Sequence, residues 1–164
     1  MSAPSASVSQ KPDSPGVNLY PPIVFLGCLL AGVVLELGHY WPVSLLPQPA
    51  GLCAGLAVAL SGFAFMGWGH GKFRDLGLNV KTNLPAGTLV TNEAFRFSRN
   101  PMYVGIVSIL AGLGLAAGSL PMLLSAVPMF LYLDWYVISR EEKYLRRRFG
   151  VEYEIYCKNV RRWL

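Results

Sequence analysis

The chain has 164 residues, 53% of them hydrophobic and only 14% charged, with a net charge of +5. A soluble domain of this size carries roughly 25% charged residues, so the composition argues against a water-soluble globule and for lipid as the solvent. Three cysteines, Cys28, Cys53 and Cys157, show no paired metal or redox spacing; two lie in apolar runs, as small buried side chains do, and no metal site is expected.

In chain order, Met1–Asn18 is polar and rich in Ser and Pro, the composition of a mobile tail. No basic segment directly precedes the first apolar run and no small-residue cleavage site follows it, so that run is expected to be a retained helix and not a signal peptide. Four apolar runs follow: Ile23–Tyr40, Ala50–Trp68, Pro101–Ala117 and Leu120–Ile138. Each is close to the roughly 20 residues a helix needs to cross the hydrocarbon core. Only Glu36 and Asp134 interrupt them with charge, and none shows the polar face of a buried soluble helix. In the second run Gly51, Gly55 and Ala59 recur every four residues, a face that lets another helix of the same chain approach closely. The expected fold is an all-α membrane protein. It has four transmembrane helices, a cytoplasmic connector before the third and an amphipathic C-terminal helix, with residues 19–164 forming one integral-membrane domain.

All 14 basic residues fall on one side of a four-span arrangement: Lys11; Lys72, Arg74, Lys81, Arg96 and Arg99; and eight between Arg140 and Arg162. The positive-inside bias makes that side the cytoplasm and puts both termini there. The same topology accounts for the positive charge without nucleic acid. "GWGHGK" (Gly67–Lys72) has no βαβ context and is not expected to be a dinucleotide loop.

Only Gly118 and Ser119 join the third and fourth runs, which predicts an antiparallel helical hairpin. Counting back and forward from that turn brings Arg99-Asn100-Pro101-Met102-Tyr103 next to Ile138-Ser139-Arg140-Glu141-Glu142. Asn100 has the chemistry of an N-cap and Pro101 of a first helical residue. The helix start suits a carboxylate or phosphate, and Glu141 and Glu142 offer acceptors for an ammonium group, so the mouth suits a zwitterion such as an amino-acid moiety. In the other reading Arg99 pairs with a glutamate and merely caps the hairpin. Beyond the fourth run, Leu145, Phe149, Tyr153, Tyr156, Val160 and Trp163 form one apolar stripe opposite a basic face. Such a helix can lie on the membrane or cover the hairpin mouth as a lid, loosened midway by Gly150.

Together, "LVT…FRFSRNPMYVG" and "EEKYLRRRFGVEYEIYCKNVRRWL" resemble the isoprenylcysteine carboxyl methyltransferase family in its short bacterial form, part of a wider group that includes phospholipid N-methyltransferases. The resemblance runs from about Phe73 to Leu164. It implies methyl transfer from S-adenosylmethionine to a lipophilic acceptor: a prenylated carboxylate, a phospholipid amine or a phenolic lipid. It implies a cofactor region spanning 73–103 and 139–164, with a pocket of Gly87, Thr88, Leu89, Val90, Phe95, Asn100, Pro101, Met102, Tyr103 and Glu141. Arg99, Tyr103 and Glu142 are the candidates for catalysis or acceptor orientation, with His70 and Asp134 as further possibilities. One departure stands out. In "TNEAF" Glu93 occupies the family's glycine place, where a positive φ is costly for Glu, and a rearranged loop around Phe95 is expected.

Methyl transfer from a sulfonium is an in-line displacement for which positioning supplies much of the acceleration. Aromatic faces such as Tyr103 or Phe95 suit the sulfonium. Two other functions fit four apolar helices: a nicotinamide-dependent reductase of isoprenoids or sterols, with NADPH in the same region, and a small transporter using Glu36 as its coupling carboxylate. Glu36 and His39 are otherwise expected to form a structural pair on the far face.

Overall fold

The computed structural model describes residues 14–38, 47–77 and 86–164. Among the described residues the protein is all helix and loop, with no strand. The elements are α1 (Pro21–Gly38), α2 (Ala50–Asp75), a 3-10 turn (Glu93–Arg96), α3 (Pro101–Ala117), α4 (Leu120–Leu124), α5 (Ala126–Leu131), a π-helical segment (Tyr132–Ile138), α6 (Ser139–Phe149) and α7 (Val151–Asn159). Three helices are long and apolar enough to cross a membrane: Pro21–Gly38, Ala50–Asp75 and the run Leu120–Phe149; α3 is a shorter apolar helix of 17 residues. The molecule is a multi-pass membrane protein, and α3 sits at its centre, packed against α2 on one side and α4 on the other.

The first two expected spans are displaced at their ends. Helix α1 begins at Pro21 and runs to Gly38, while His39 and Tyr40 lie outside the described residues. Helix α2 continues past Trp68 to Asp75, because nothing between them breaks it and its charged end faces water. Val17, at the end of the polar N-terminal stretch, is fully buried and belongs to the core cluster that includes Tyr103, Leu133 and Val137.

The small-residue face of α2 is satisfied within the chain. A Cβ on Gly55 would stand 2.2 Å from the amide nitrogen of Ala116, and one on Gly112 would stand 2.6 Å from that of Ala59. Gly62 and Gly105 meet the same way one level nearer the polar end. The two backbones touch because four glycines leave no side chain between them.

Helix α3 starts at Pro101, whose ring fixes φ and whose missing N–H is no loss at a first turn. It ends at Gly118 in the left-handed conformation (φ +63), where Gly118 and Ser119 donate their amides to the carbonyls of Leu115 and Gly114. Ser119 then caps α4 by accepting from the Met122 amide at 3.2 Å. The hairpin is thereby closed at its far end, and its other end is free to form a site. The amphipathic tail breaks at Gly150 (φ +52), which separates α6 from α7. Its apolar stripe is buried inward on Val90 and Phe95, with Tyr153 and Tyr156 at the centre. The tail thereby packs against the connector and the start of α3.

Candidate active site

Ser98, Arg99 and Asn100 lead into α3, and all three are bound to the end of the tail. The Arg99 amide donates to the Arg161 carbonyl at 3.0 Å. Asn100 Nδ2 donates to the Arg162 carbonyl at 2.9 Å, and the buried Ser98 hydroxyl accepts from the Asn100 amide at 3.0 Å. Asn100 does stand at the N-cap position, but its side chain makes no capping bond; its carbonyl takes the Tyr103 and Val104 amides. The side chain of Asn100 holds the tail.

Charge is concentrated directly below. Arg99 Nη1 lies 3.1 Å from Glu142 Oε1 and also reaches the Tyr153 hydroxyl and Cys157 Sγ. Arg162 grips both oxygens of Glu142, Nε to Oε1 at 3.0 Å and Nη2 to Oε2 at 2.8 Å. Its third nitrogen reaches Asp134 Oδ1 at 3.1 Å, and the Trp163 indole donates to that same oxygen at 2.9 Å. Arg99 is thus paired with a glutamate, as one of its two readings expected, and that pairing leaves the ligand-binding reading open. Arg99 Nε nonetheless remains buried with no hydrogen-bond partner among the described residues, and a buried donor left unmade costs about 1–3 kcal/mol.

Glu141 faces elsewhere. One helical turn above Val137, outside the apolar stretch 120–138, its Oε1 accepts from the Tyr103 hydroxyl at 2.8 Å. Burial pushes its carboxyl up to about 7, with the Tyr103 hydrogen bond pulling down and the neighbouring Glu142 pushing up. Nearby, Tyr132 and Tyr136 stack at 5.5 Å and the Arg140 guanidinium lies 3.8 Å over the Tyr136 ring.

The connector supplies the other wall. Leu89 and Val90 pack with Phe95, Met102, Tyr153 and Tyr156, and Tyr156 donates to the Phe95 carbonyl at 2.7 Å. Gly87 and Thr88 are exposed, next to Ala86, whose amide donates to the Tyr144 hydroxyl at 2.9 Å. Pro101 is buried at the helix start. Glu93 adopts φ +54, so the turn keeps the left-handed backbone that a glycine would give. Lys72 Nζ anchors the Glu93 carboxylate at 2.8 Å, and Phe95 is buried.

Sequence reasoning missed Arg162 and Trp163, which it placed on a basic face and an apolar stripe. The signal was Asp134: a lone acid in an apolar run calls for a cation. His70 is exposed on α2 and makes no hydrogen bond among the described residues. Glu36 accepts from the Ser119 hydroxyl at 2.6 Å at the opposite end of the bundle, a structural task at the hairpin turn. An apolar groove of about 640 Å³ lies between α1 and α4–α5, lined by Cys28, Gly32, Leu35, Leu124 and Pro128 among others. Pro128 is thirteen residues from Glu141, roughly 20 Å along a helix, so this groove is separate from the polar site.

A family model described as phospholipid methyltransferase matches residues 50–152. An uncharacterized protein of Haemophilus influenzae is 38% identical over 63 residues, which cover 38% of this chain and the whole of that protein. No solved structure matches the chain.

Proposed function

The chain belongs to the phospholipid methyltransferase family, a family of membrane methyltransferases that act on lipids, and we propose that it moves a methyl group from S-adenosylmethionine to a lipid-soluble acceptor at the inner headgroup level of a bacterial membrane. In this reading α3 also crosses the bilayer, as the third of four spans, and both termini are cytoplasmic, as the one-sided distribution of Lys and Arg suggests.

The observation that carries the reading is the pairing of Tyr103 with Glu141 at 2.8 Å beside the first turn of α3. Residues from two distant stretches supply a carboxylate, an aromatic face and a polarised helix start at one place. S-adenosylmethionine, when bound, supplies an activated methyl group on a sulfonium. The residues present fit it. The partnerless Nε of Arg99 is a donor for a carboxylate. Glu141 Oε2, which takes no hydrogen bond from a described residue, is an acceptor for an ammonium. Leu89, Val90 and Met102 give apolar edges for a purine, and Gly87 and Thr88 lie on the exposed approach. Tyr103 holds Glu141 in place and presents its ring. Glu142, gripped by two guanidiniums, orders the site and is not free to remove a proton, so the acceptor must reach the site already nucleophilic or lose its proton to solvent.

The test is transfer of tritiated methyl from S-adenosylmethionine to a total bacterial lipid extract, with mass spectrometry of the labelled product. Label in a lipid fraction, abolished by excess S-adenosylhomocysteine, is the expected result. Tight NADPH binding without S-adenosylhomocysteine binding would instead identify a reductase.

A further inference from the structure

Asp134 is the charge that the proposed chemistry leaves unused. It lies in the apolar part of the fourth crossing, where an ionised carboxylate is expensive unless it is paired. The helix around it is wide: Tyr132–Ile138 is π-helical, and the Ser139 hydroxyl takes up the Asp134 carbonyl at 2.9 Å. In a regular α-helix, residues eight apart such as Asp134 and Glu142 are turned about 80° from one another. The wide turn absorbs that angle, so both acids reach the same guanidinium.

We propose that Asp134 is a positioning residue for the methyl-transfer site: it holds Arg162, and through Arg162 it sets where Glu142 and Arg99 stand at the start of α3. The proposal rests on the functional reading above for the identity of the site, though not for the chain of contacts. That chain is continuous. Asp134 Oδ1 fixes Arg162 Nη1 at 3.1 Å, Arg162 fixes both Glu142 oxygens, and Glu142 Oε1 meets Arg99 Nη1 at 3.1 Å. Two cations balance two anions. Glu142 is shared by both guanidiniums, so what decides how it is divided between them is the second anchor on Arg162. Without the Asp134 charge, Arg162 is free to move with Glu142, and Arg99 loses its reference point. The backbone gives the same direction of coupling, since Arg99 and Asn100 bind the carbonyls of Arg161 and Arg162. Asp134 is not itself a catalytic residue, because its Oδ1 is taken by two donors from the tail.

The test uses the full chain in lipid nanodiscs and four forms: wild type, Asp134→Asn, Arg162→Lys and the double variant. Calorimetric binding of S-adenosylhomocysteine should weaken about tenfold in each single variant, and the double variant should be no weaker than the worse single one, because both cut one chain. A second readout needs no cofactor. Cys157 touches Arg99, so its rate of maleimide labelling, resolved from Cys28 and Cys53 by peptide mass spectrometry, reports whether Arg99 has moved. Labelling should quicken several-fold in both single variants and stay unchanged in Glu36→Gln. Additive losses of affinity, or labelling rates equal to wild type in Asp134→Asn, would overturn the proposal. If wild type binds no S-adenosylhomocysteine, the cofactor reading falls while the labelling still decides the role of Asp134.

Discussion

The α2–α3 interface and the hairpin mouth both hold distant segments in close contact, by opposite means. Between α2 and α3, Gly55, Gly62, Gly105 and Gly112 bring backbone against backbone, with nothing charged in the seam. Lipid gives apolar helices no reason to leave it, so closeness there comes from removing side chains. At the mouth, Arg99, Asp134, Glu142 and Arg162 bring segments together through full charges. One region tolerates loss of charge but no added atom. The other tolerates small changes of volume but no lost charge.

The largest effect expected from breaking this contrast is in the seam. Gly112→Ala puts a methyl 2.6 Å from two backbone atoms of α2, the Ala59 nitrogen and the Gly55 oxygen, and should cost about 3 kcal/mol, read as a lowered thermal midpoint in detergent. Gly27→Ala, where a Cβ meets nothing within 4 Å, should leave the midpoint unchanged or slightly raised. An equal loss in both would mean that the α2–α3 contact is not the determinant.

At the mouth, Glu141→Gln should weaken S-adenosylhomocysteine binding at least tenfold while Glu36→Gln does not, by calorimetry at pH 8. A pH series sharpens the same point. With its carboxyl pushed up to about 7 by burial, Glu141 is neutral below that pH and charged above it. Affinity for a ligand ammonium should therefore fall as pH drops through 7, by up to tenfold per unit, and level off above 8. A flat profile from pH 6 to 8 would remove Glu141 from the site.

The smallest effect belongs to the connector. Glu93→Gly relieves a positive φ (+54) but loses the contact with Lys72. A partly exposed surface pair is worth about 0–1 kcal/mol and the strain about 1 kcal/mol, so stability should change little. Glu93→Ala, which keeps the strain and loses the pair, should be the less stable of the two by denaturation.

The seam could be read in advance and the clasp could not, for a physical reason. Gly51, Gly55 and Ala59 announce their face by spacing within one helix, and the Gly118-Ser119 turn places Tyr103 beside Glu141 by counting. The helix starts and the hairpin follow from such local rules. Arg162, by contrast, sits among other basic residues with no period of its own, and only the fold shows that it alone reaches both acids. Asn100 was placed correctly on the chain with the wrong partner, since a capping residue and a tail anchor have the same chemistry. The widened turn at Tyr132–Ile138 leaves no mark in the apolar pattern, because apolar residues on nearly every side hide a change of pitch and the single charge of Asp134 sets no period.

The hairpin also bears on bilayer thickness. The run Leu120–Phe149 has 30 residues, about 45 Å of helix, against 17 residues for its partner. Gly114 lets that partner lie directly on Leu123, where an added Cβ would come within 2.4 Å of the backbone. Rods locked at one end cannot part to accommodate longer acyl chains, so a thicker membrane is met by leaning the pair as a unit. Lipid length would then alter the depth at which the reaction centre sits while its internal distances stay fixed.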